Sequence, residues 1–297
     1  MIARPLTGCG TALVTPFTRD GQVDERALRA LVAWQLAEGM HFLVPCGSTG
    51  EAATMSVEEQ ARVVAVTVDE VAGRVPVVAG AGSNDTQKAV ALSLAMRGAG
   101  ATHLLHASPM YNKPQQRGIV AHFRAIAESV DVPIVVYNVP GRTASNIEAR
   151  TTLELATVPG IVGIKEASAN LAQIGDVLRD RPPGFAVLSG DDALTLPIMA
   201  LGGEGVISVV SNGTPRRMVA LVDACAAGDF ATARTLHRQL LPWMTAAFIE
   251  ANPAPVKAAL ALMGRIENVL RLPLVPLADD LTSTVRSALV AAGAIHA

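Results

Sequence analysis

The chain has 297 residues, half of them apolar and 17% charged, with 24 Lys and Arg against 26 Asp and Glu for a net charge of −2. That length buries a core without disulfide or metal staples, and the composition excludes a disordered chain. The near-neutral balance supplies no field for tracking phosphates and argues against nucleic acid as a partner. Cys9, Cys46 and Cys225 are odd in number, widely spaced and outside any CxxC pattern, which suits a reducing compartment and indicates no thiolate metal site. The start, MIARPLTGCG, lacks the apolar run of a signal peptide. Uncharged stretches such as Ala193 to Gly203 reach about half of a bilayer span. The expectation is a soluble, cytoplasmic protein with no membrane contact.

In chain order, short apolar runs alternate with helical patterns. TALVTPF from Thr11 reads as a strand, and Asp24 to Glu38 as a helix with Leu28, Leu31, Val32 and Leu36 on one face and Asp24 as N-cap. HFLVPC from His41 follows, and Ser56 with Glu59 forms a capping box that opens the next helix. Strands VPVVAGAG from Val75, ATHLLHAS from Ala101 and PIVVYNV from Pro133 precede helices at Thr86 to Arg97, Gln115 to Ser129 and Ile147 to Ala156. IVGIKEA from Ile161, FAVLSG from Phe185 and GVISVV from Gly205 precede helices at Leu171 to Arg179, Ala193 to Leu201 and Pro215 to Ala226. Most of these strands are apolar at nearly every position, as parallel strands buried on both faces are.

Eight strand–helix pairs predict an α/β fold of (β/α)8 TIM-barrel type over residues 1–227. A doubly wound sheet would carry a Gly-rich fingerprint after its first strand, and TPFTRDGQ is not one. Residues 228–297 show helical patterns at Asp229 to Phe248, Pro253 to Met263 and Asp279 to Ala292 without strands, and are expected to form a C-terminal helical domain packed on the barrel.

Barrel chemistry gathers at the C-terminal ends of strands, which selects a short list. Lys165 interrupts a strand that is otherwise apolar. A buried amine loses proton affinity and becomes a nucleophile toward carbonyls. The bland alternative, an ion pair with Glu166, is geometrically poor because strand neighbours face opposite sides. Gly47-Ser48-Thr49-Gly50-Glu51 places two hydroxyls between glycines, a pattern able to receive a small carboxylate or simply to form a capped turn. It lacks the Lys-Ser/Thr end of a phosphate loop. Tyr111 and Tyr137 are the only tyrosines and fall on the same barrel face; a phenol there can relay protons or pack at the rim. Arg142, after a Pro-Gly turn, can clamp a carboxylate or stand in solvent. The six histidines have no metal-ligand spacing, and Asp191-Asp192 reads as a helix cap, so no metal site is expected.

Taken together, GTALVTPF, GSTGEA, SPMYNKP, YNVPGRT, GIKEAS, LSGDDA, GGEGVISV, NPAPVKAAL and LRLPLVPL resemble the Schiff-base, pyruvate-dependent aldolase family of the dihydrodipicolinate synthases and N-acetylneuraminate lyases, over nearly the whole chain. The resemblance implies Lys165 as the Schiff-base lysine, with Tyr137, Ser48 and Tyr111 as a proton relay in which a neighbouring subunit donates Tyr111. It implies Thr49 and the Gly50 region as ligands of the pyruvate carboxylate, with Gly190 and the Ile207 carbonyl beside the bound intermediate. YNVPGRT favours the synthase branch, in which Arg142 would hold the carboxylate of aspartate 4-semialdehyde and the product would be 4-hydroxy-tetrahydrodipicolinate. A sister aldolase acting on a sugar-derived 2-keto acid is the alternative, because Ser48 stands where most synthases have threonine and GSTGE also fits the lyase branch. A barrel that only binds a keto acid is the non-enzymatic rival. The family works without cofactor or metal and is usually a homotetramer, a dimer of dimers. At the positions of the family's lysine-effector site the chain carries Gln60, Lys88 and Met110. Like-charge repulsion from Lys88 implies weak or absent feedback inhibition by lysine.

Overall fold

The computed structural model describes residues 6–296. Eight parallel strands run through it: β1 (Gly8–Ala12), β2 (Phe42–Val44), β3 (Val78–Gly80), β4 (His103–Ala107), β5 (Ile134–Asn138), β6 (Ile161–Glu166), β7 (Ala186–Ser189) and β8 (Gly205–Ser208). Their hydrogen-bonded order is β2-β1-β8-β7-β6-β5-β4-β3. The two ends meet at a single parallel bridge, Leu43 with Val77. Beside it the Leu43 N–H donates to Pro76 O at 3.1 Å and the Gly80 N–H to Pro45 O at 2.9 Å. The sheet thus curls into the expected (β/α)8 barrel.

Strands and helices sit close to where their patterns place them, although β3 begins at Val78 rather than Val75 and the helix expected from Ala193 starts as a 3-10 turn, Asp192–Leu194; two further differences stand out. The first strand begins at Gly8, three residues before Thr11, pairing with β8 from Gly8–Gly205 onward. Gly10 belongs inside this strand because a Cβ there would stand 1.9 Å from the ring of Phe42; a side chain at that position would displace the lumen filling. Leu13 to Phe17 continue as a buried, irregular run above it. The second difference is a short helix, Pro140–Thr143, where a turn is expected.

Asp24 caps the helix Glu25–Ala37 by accepting from the Ala27 N–H at 2.9 Å. The Ser56–Glu59 capping box opens the helix Val57–Val71. Inside the barrel, Phe42, Val44, Val78, Leu105, Val135, Leu188 and Ile207 form a compact apolar cluster with Tyr137 at its edge. A larger core lies between the strands and the surrounding helices. The tail helices Phe230–Ala246, Ala254–Leu262 and Thr282–Ala291 join that larger core. Trp243 is wholly buried there and its indole N–H donates to Val210 O at 3.1 Å. Among the described residues no helix is long and apolar enough to cross a membrane.

Candidate active site

Tyr137, Lys165 and Leu188 are paired across β5, β6 and β7, so all three side chains share the lumen face. Lys165 is 4% exposed, and its Nζ stands 4.3 Å from the centroid of the Tyr137 ring. Burial lowers its pKa from 10.5 to about 8, against the opposing charge of Asp192 and with a smaller push from Arg142. The same burial raises the Tyr137 phenol to about 12. Gly190 abuts the lysine: a Cβ there would lie 2.9 Å from Lys165 Cε and 2.8 Å from Ala167 Cβ. Ile207 on β8 is fully buried in the same lumen cluster.

Glu166 points the other way, as strand alternation requires. Its carboxylate accepts from Asn138 Nδ2 at 3.1 and 3.2 Å and from the Ser168 N–H at 2.7 Å. Lys165 is therefore left without the carboxylate its sequence neighbour could have supplied. The two aspartates after β7 divide their roles. Asp191 caps as expected, accepting from the Ala193 N–H at 2.9 Å. Asp192 does not cap the helix that follows it. It turns inward, accepts from the Val209 and Val210 N–H groups at 3.0 and 3.2 Å, and burial raises its carboxyl to about 6.

After β2 the chain folds tightly through Gly47 to Glu51. The Gly50 N–H donates to Gly47 O at 3.0 Å and the Glu51 N–H to Ser48 O at 3.2 Å. Among the described residues the Ser48 and Thr49 N–H groups have no acceptor. Gly50 lies against Leu13 O and the Cys46 backbone, where a Cβ would come within 3.0 to 3.1 Å, and Thr15 Oγ1 donates to its carbonyl at 2.7 Å. The loop therefore presents hydroxyls and the amides of residues 48 and 49, while the Gly50 amide is engaged internally. Ser48 is exposed and Thr49 is buried.

Arg142, on the short helix Pro140–Thr143, is exposed and close enough to influence the titration of both Lys165 and Tyr137. Tyr111 lies beyond β4 and is 88% exposed, with a left-handed φ of 72°. The strand ends thus gather Lys165, Tyr137, Gly190, Ile207 and Arg142, and Thr49 follows β2 at the same end of the barrel, whereas the Tyr111 ring is unshielded by its own chain. The side chains bonded to the 47–51 loop include Thr15, Thr54, Asn252 and Lys257, the Arg271 N–H also reaches it, and none of its bonds joins Ser48 to Tyr137. Gln60 is buried and donates to Ala52 O and Met55 O at 3.1 and 3.2 Å, and Lys88 is exposed. Among the described residues no cluster of three or more His, Cys, Asp or Glu is placed to hold a metal ion.

The sequence reading missed a set of residues in the tail. Asn252 Nδ2 donates to Thr49 Oγ1 at 2.9 Å. Lys257 Nζ donates to Glu51 Oε1 at 2.5 Å and to Val269 O at 2.8 Å, and the Arg271 N–H reaches Glu51 Oε2 at 3.0 Å. Only the NPAPVK and LRLPL strings signalled them, with no spacing that tied them to the loop.

The family model described as the dihydrodipicolinate synthetase family matches residues 5–292. The chain belongs to that family. In the dihydrodipicolinate synthetase family, the 4-hydroxy-tetrahydrodipicolinate synthase of Koribacter versatilis is 56% identical over 278 residues, covering 93% of this chain and 92% of that one. The dihydrodipicolinate synthase of Thermotoga maritima is 42% identical with a TM-score of 0.96, over 98% of this chain and 99% of that chain. The chloride-inhibited synthase of Acinetobacter baumannii, complexed with pyruvate, is 40% identical with a TM-score of 0.96, over 97% and 99%.

Proposed function

We propose that the chain condenses pyruvate with aspartate 4-semialdehyde to give 4-hydroxy-tetrahydrodipicolinate, the first committed step of the diaminopimelate route to lysine. The observation that carries this reading is the enclosed, unpaired amine of Lys165 beside Tyr137 and Gly190, in a chain 56% identical to a protein of that name. The neutral amine attacks the ketone carbon of pyruvate, and loss of water leaves an imine. The iminium draws electrons from the methyl group, so a proton leaves that carbon and an enamine forms. Tyr137 and Ser48 relay the proton, completed by Tyr111 from a second copy of the chain. The Thr49 hydroxyl and its backbone hold the pyruvate carboxylate. The enamine carbon then bonds to the aldehyde carbon of the semialdehyde, whose own carboxylate is held by Arg142, and the new alkoxide takes a proton. The substrate amine attacks the imine carbon, the Lys165 nitrogen leaves with a proton, and the ring closes.

Thr49, Gly190 and the Ile207 carbonyl shape the space around the imine, and no cofactor takes part. The chain acts in the cytoplasm as at least a dimer, since Tyr111 completes a neighbour's site, and the family's usual assembly makes it a homotetramer, a dimer of dimers. Gln60 and Lys88 make inhibition by L-lysine weak or absent. Borohydride added with pyruvate should leave one reduced pyruvyl group on Lys165. Active protein with an unmodified Lys165 would refute the assignment, and turnover of sugar-derived 2-keto acids without turnover of the semialdehyde would move the chain to the sister aldolases.

A further inference from the structure

We propose that Asn252 is a positioning residue that keeps the Thr49 hydroxyl oriented as a hydrogen-bond donor to the incoming carboxylate, with the Lys257–Glu51 ion pair anchoring the same loop from the tail. This deepens the preceding proposal and rests on it.

A threonine hydroxyl has one hydrogen to give and lone pairs to receive. At Thr49 the lone pair faces Asn252 Nδ2 at 2.9 Å, and an amide nitrogen only donates. The Thr49 hydrogen is thereby left for another acceptor, and no group of the described residues takes it. Both side chains are buried, Thr49 at 2% and Asn252 at 5% exposure, so bulk water does not compete for either. With the neighbouring Ser48 and Thr49 N–H groups also unmatched, the loop is a cluster of donors awaiting an anionic oxygen.

The tail holds this arrangement at two points. Asn252 immediately precedes Pro253, whose carbonyl accepts from the Lys257 N–H at the start of the helix Ala254–Leu262. Within two turns Lys257 meets Glu51, with both side chains fully buried. Glu51 sits in the left-handed region at φ 55°, a conformation that needs outside support in a residue with a Cβ. Its second oxygen is held by the Arg271 N–H, while the Arg271 guanidinium grips Glu59 at 2.5 and 2.9 Å. Removing either partner of such a pair strands the other charge in the interior.

The test is imine capture by the full-length chain, read as borohydride-trapped protein against pyruvate concentration, together with KM for each substrate. Asn252→Ala should raise the half-saturating pyruvate concentration about tenfold, the size of one hydrogen bond to a charged group. The KM for the semialdehyde at saturating pyruvate should move by less than about twofold. In a Thr49→Val background the Asn252→Ala effect should vanish, because the hydroxyl it acts through is gone. Val256→Ala, buried in the same helix, controls for loss of stability: it should lower Tm and leave pyruvate capture unchanged. An unchanged pyruvate constant in Asn252→Ala overturns the proposal. So does an equal rise for both substrates, an equal rise in Val256→Ala, or an effect that persists in Thr49→Val. If wild-type protein traps no pyruvate at all, the proposed function fails and this inference falls with it. Normal wild-type trapping with an unaffected Asn252→Ala sinks the inference alone.

Discussion

Replacing Lys165 with methionine tests whether the structure keeps an amine in hydrocarbon at the expense of stability. The native pKa of about 8 lies below the unfolded value of 10.5. Below pH 8 both states carry the proton, and the native state bears the full cost of an enclosed cation. Between pH 8 and 10.5 the unfolded chain binds more protons, so wild-type stability climbs with pH, and beyond that window the cost is gone. At pH 7 the gap between 10.5 and 8 corresponds to about 3 kcal/mol. That difference already contains the contact of Nζ with the Tyr137 ring, so Lys165→Met should be more stable by about 3 kcal/mol. With about 2.1 cal/mol/K of unfolding entropy per residue, that is an upward Tm shift of about 5 °C for a chain of this length. Calorimetry without pyruvate at pH 7 and pH 10 reads it directly. Lys257, lowered to about 8 by its own burial, titrates in both proteins and cancels. A variant no more stable than wild type at pH 7, or a gap that does not shrink by pH 10, would refute the reasoning.

The first chemical step should follow the same group. The rate of imine capture should rise about tenfold per pH unit below 8 and level off above it, measured by rapid quench with borohydride; a flat profile from pH 6 to 9 would mean that Lys165 does not limit capture. Gly190→Ala should cut kcat/KM at least about a hundredfold, because the new methyl occupies space held by Lys165 Cε, and circular dichroism should show the barrel intact. Arg142→Ala should lower kcat/KM for aspartate 4-semialdehyde about a hundredfold and leave pyruvate trapping within about twofold. Equal losses for both substrates would move the arginine's action away from the aldehyde.

The barrel was legible because buried parallel strands are written as unbroken apolar runs, and the polar residue that breaks such a run stands out. Lys165 is visible on that ground alone. Capping chemistry marked the helix starts at Asp24 and Ser56, where a side chain and a backbone N–H three residues on make a local bond. Gly8 and Gly10 misled, because glycines read as a boundary while the packing of Phe42 makes Gly10 part of the strand. Asp192 was unreadable for a different reason. Its partners, the Val209 and Val210 N–H groups, lie on the next strand's exit. Asn252 and Lys257 meet Thr49 and Glu51 across more than 200 residues of chain, and no periodicity carries information over that span.

The joint between β2 and β3 has a consequence for how the molecule breathes. Every other pair of neighbouring staves is laced by a multi-residue ladder, whereas this one is fastened by the Leu43–Val77 bridge and its two flanking bonds. Transient opening starts where the lacing is thinnest, so hydrogen exchange should be fastest along this line of the barrel. The donor loop springs from the end of β2, which makes it the part of the mouth that swings when the joint gapes. On the proposed function, a keto acid tethered to β6 on one side and to that loop on the other would act as a clasp across the wall.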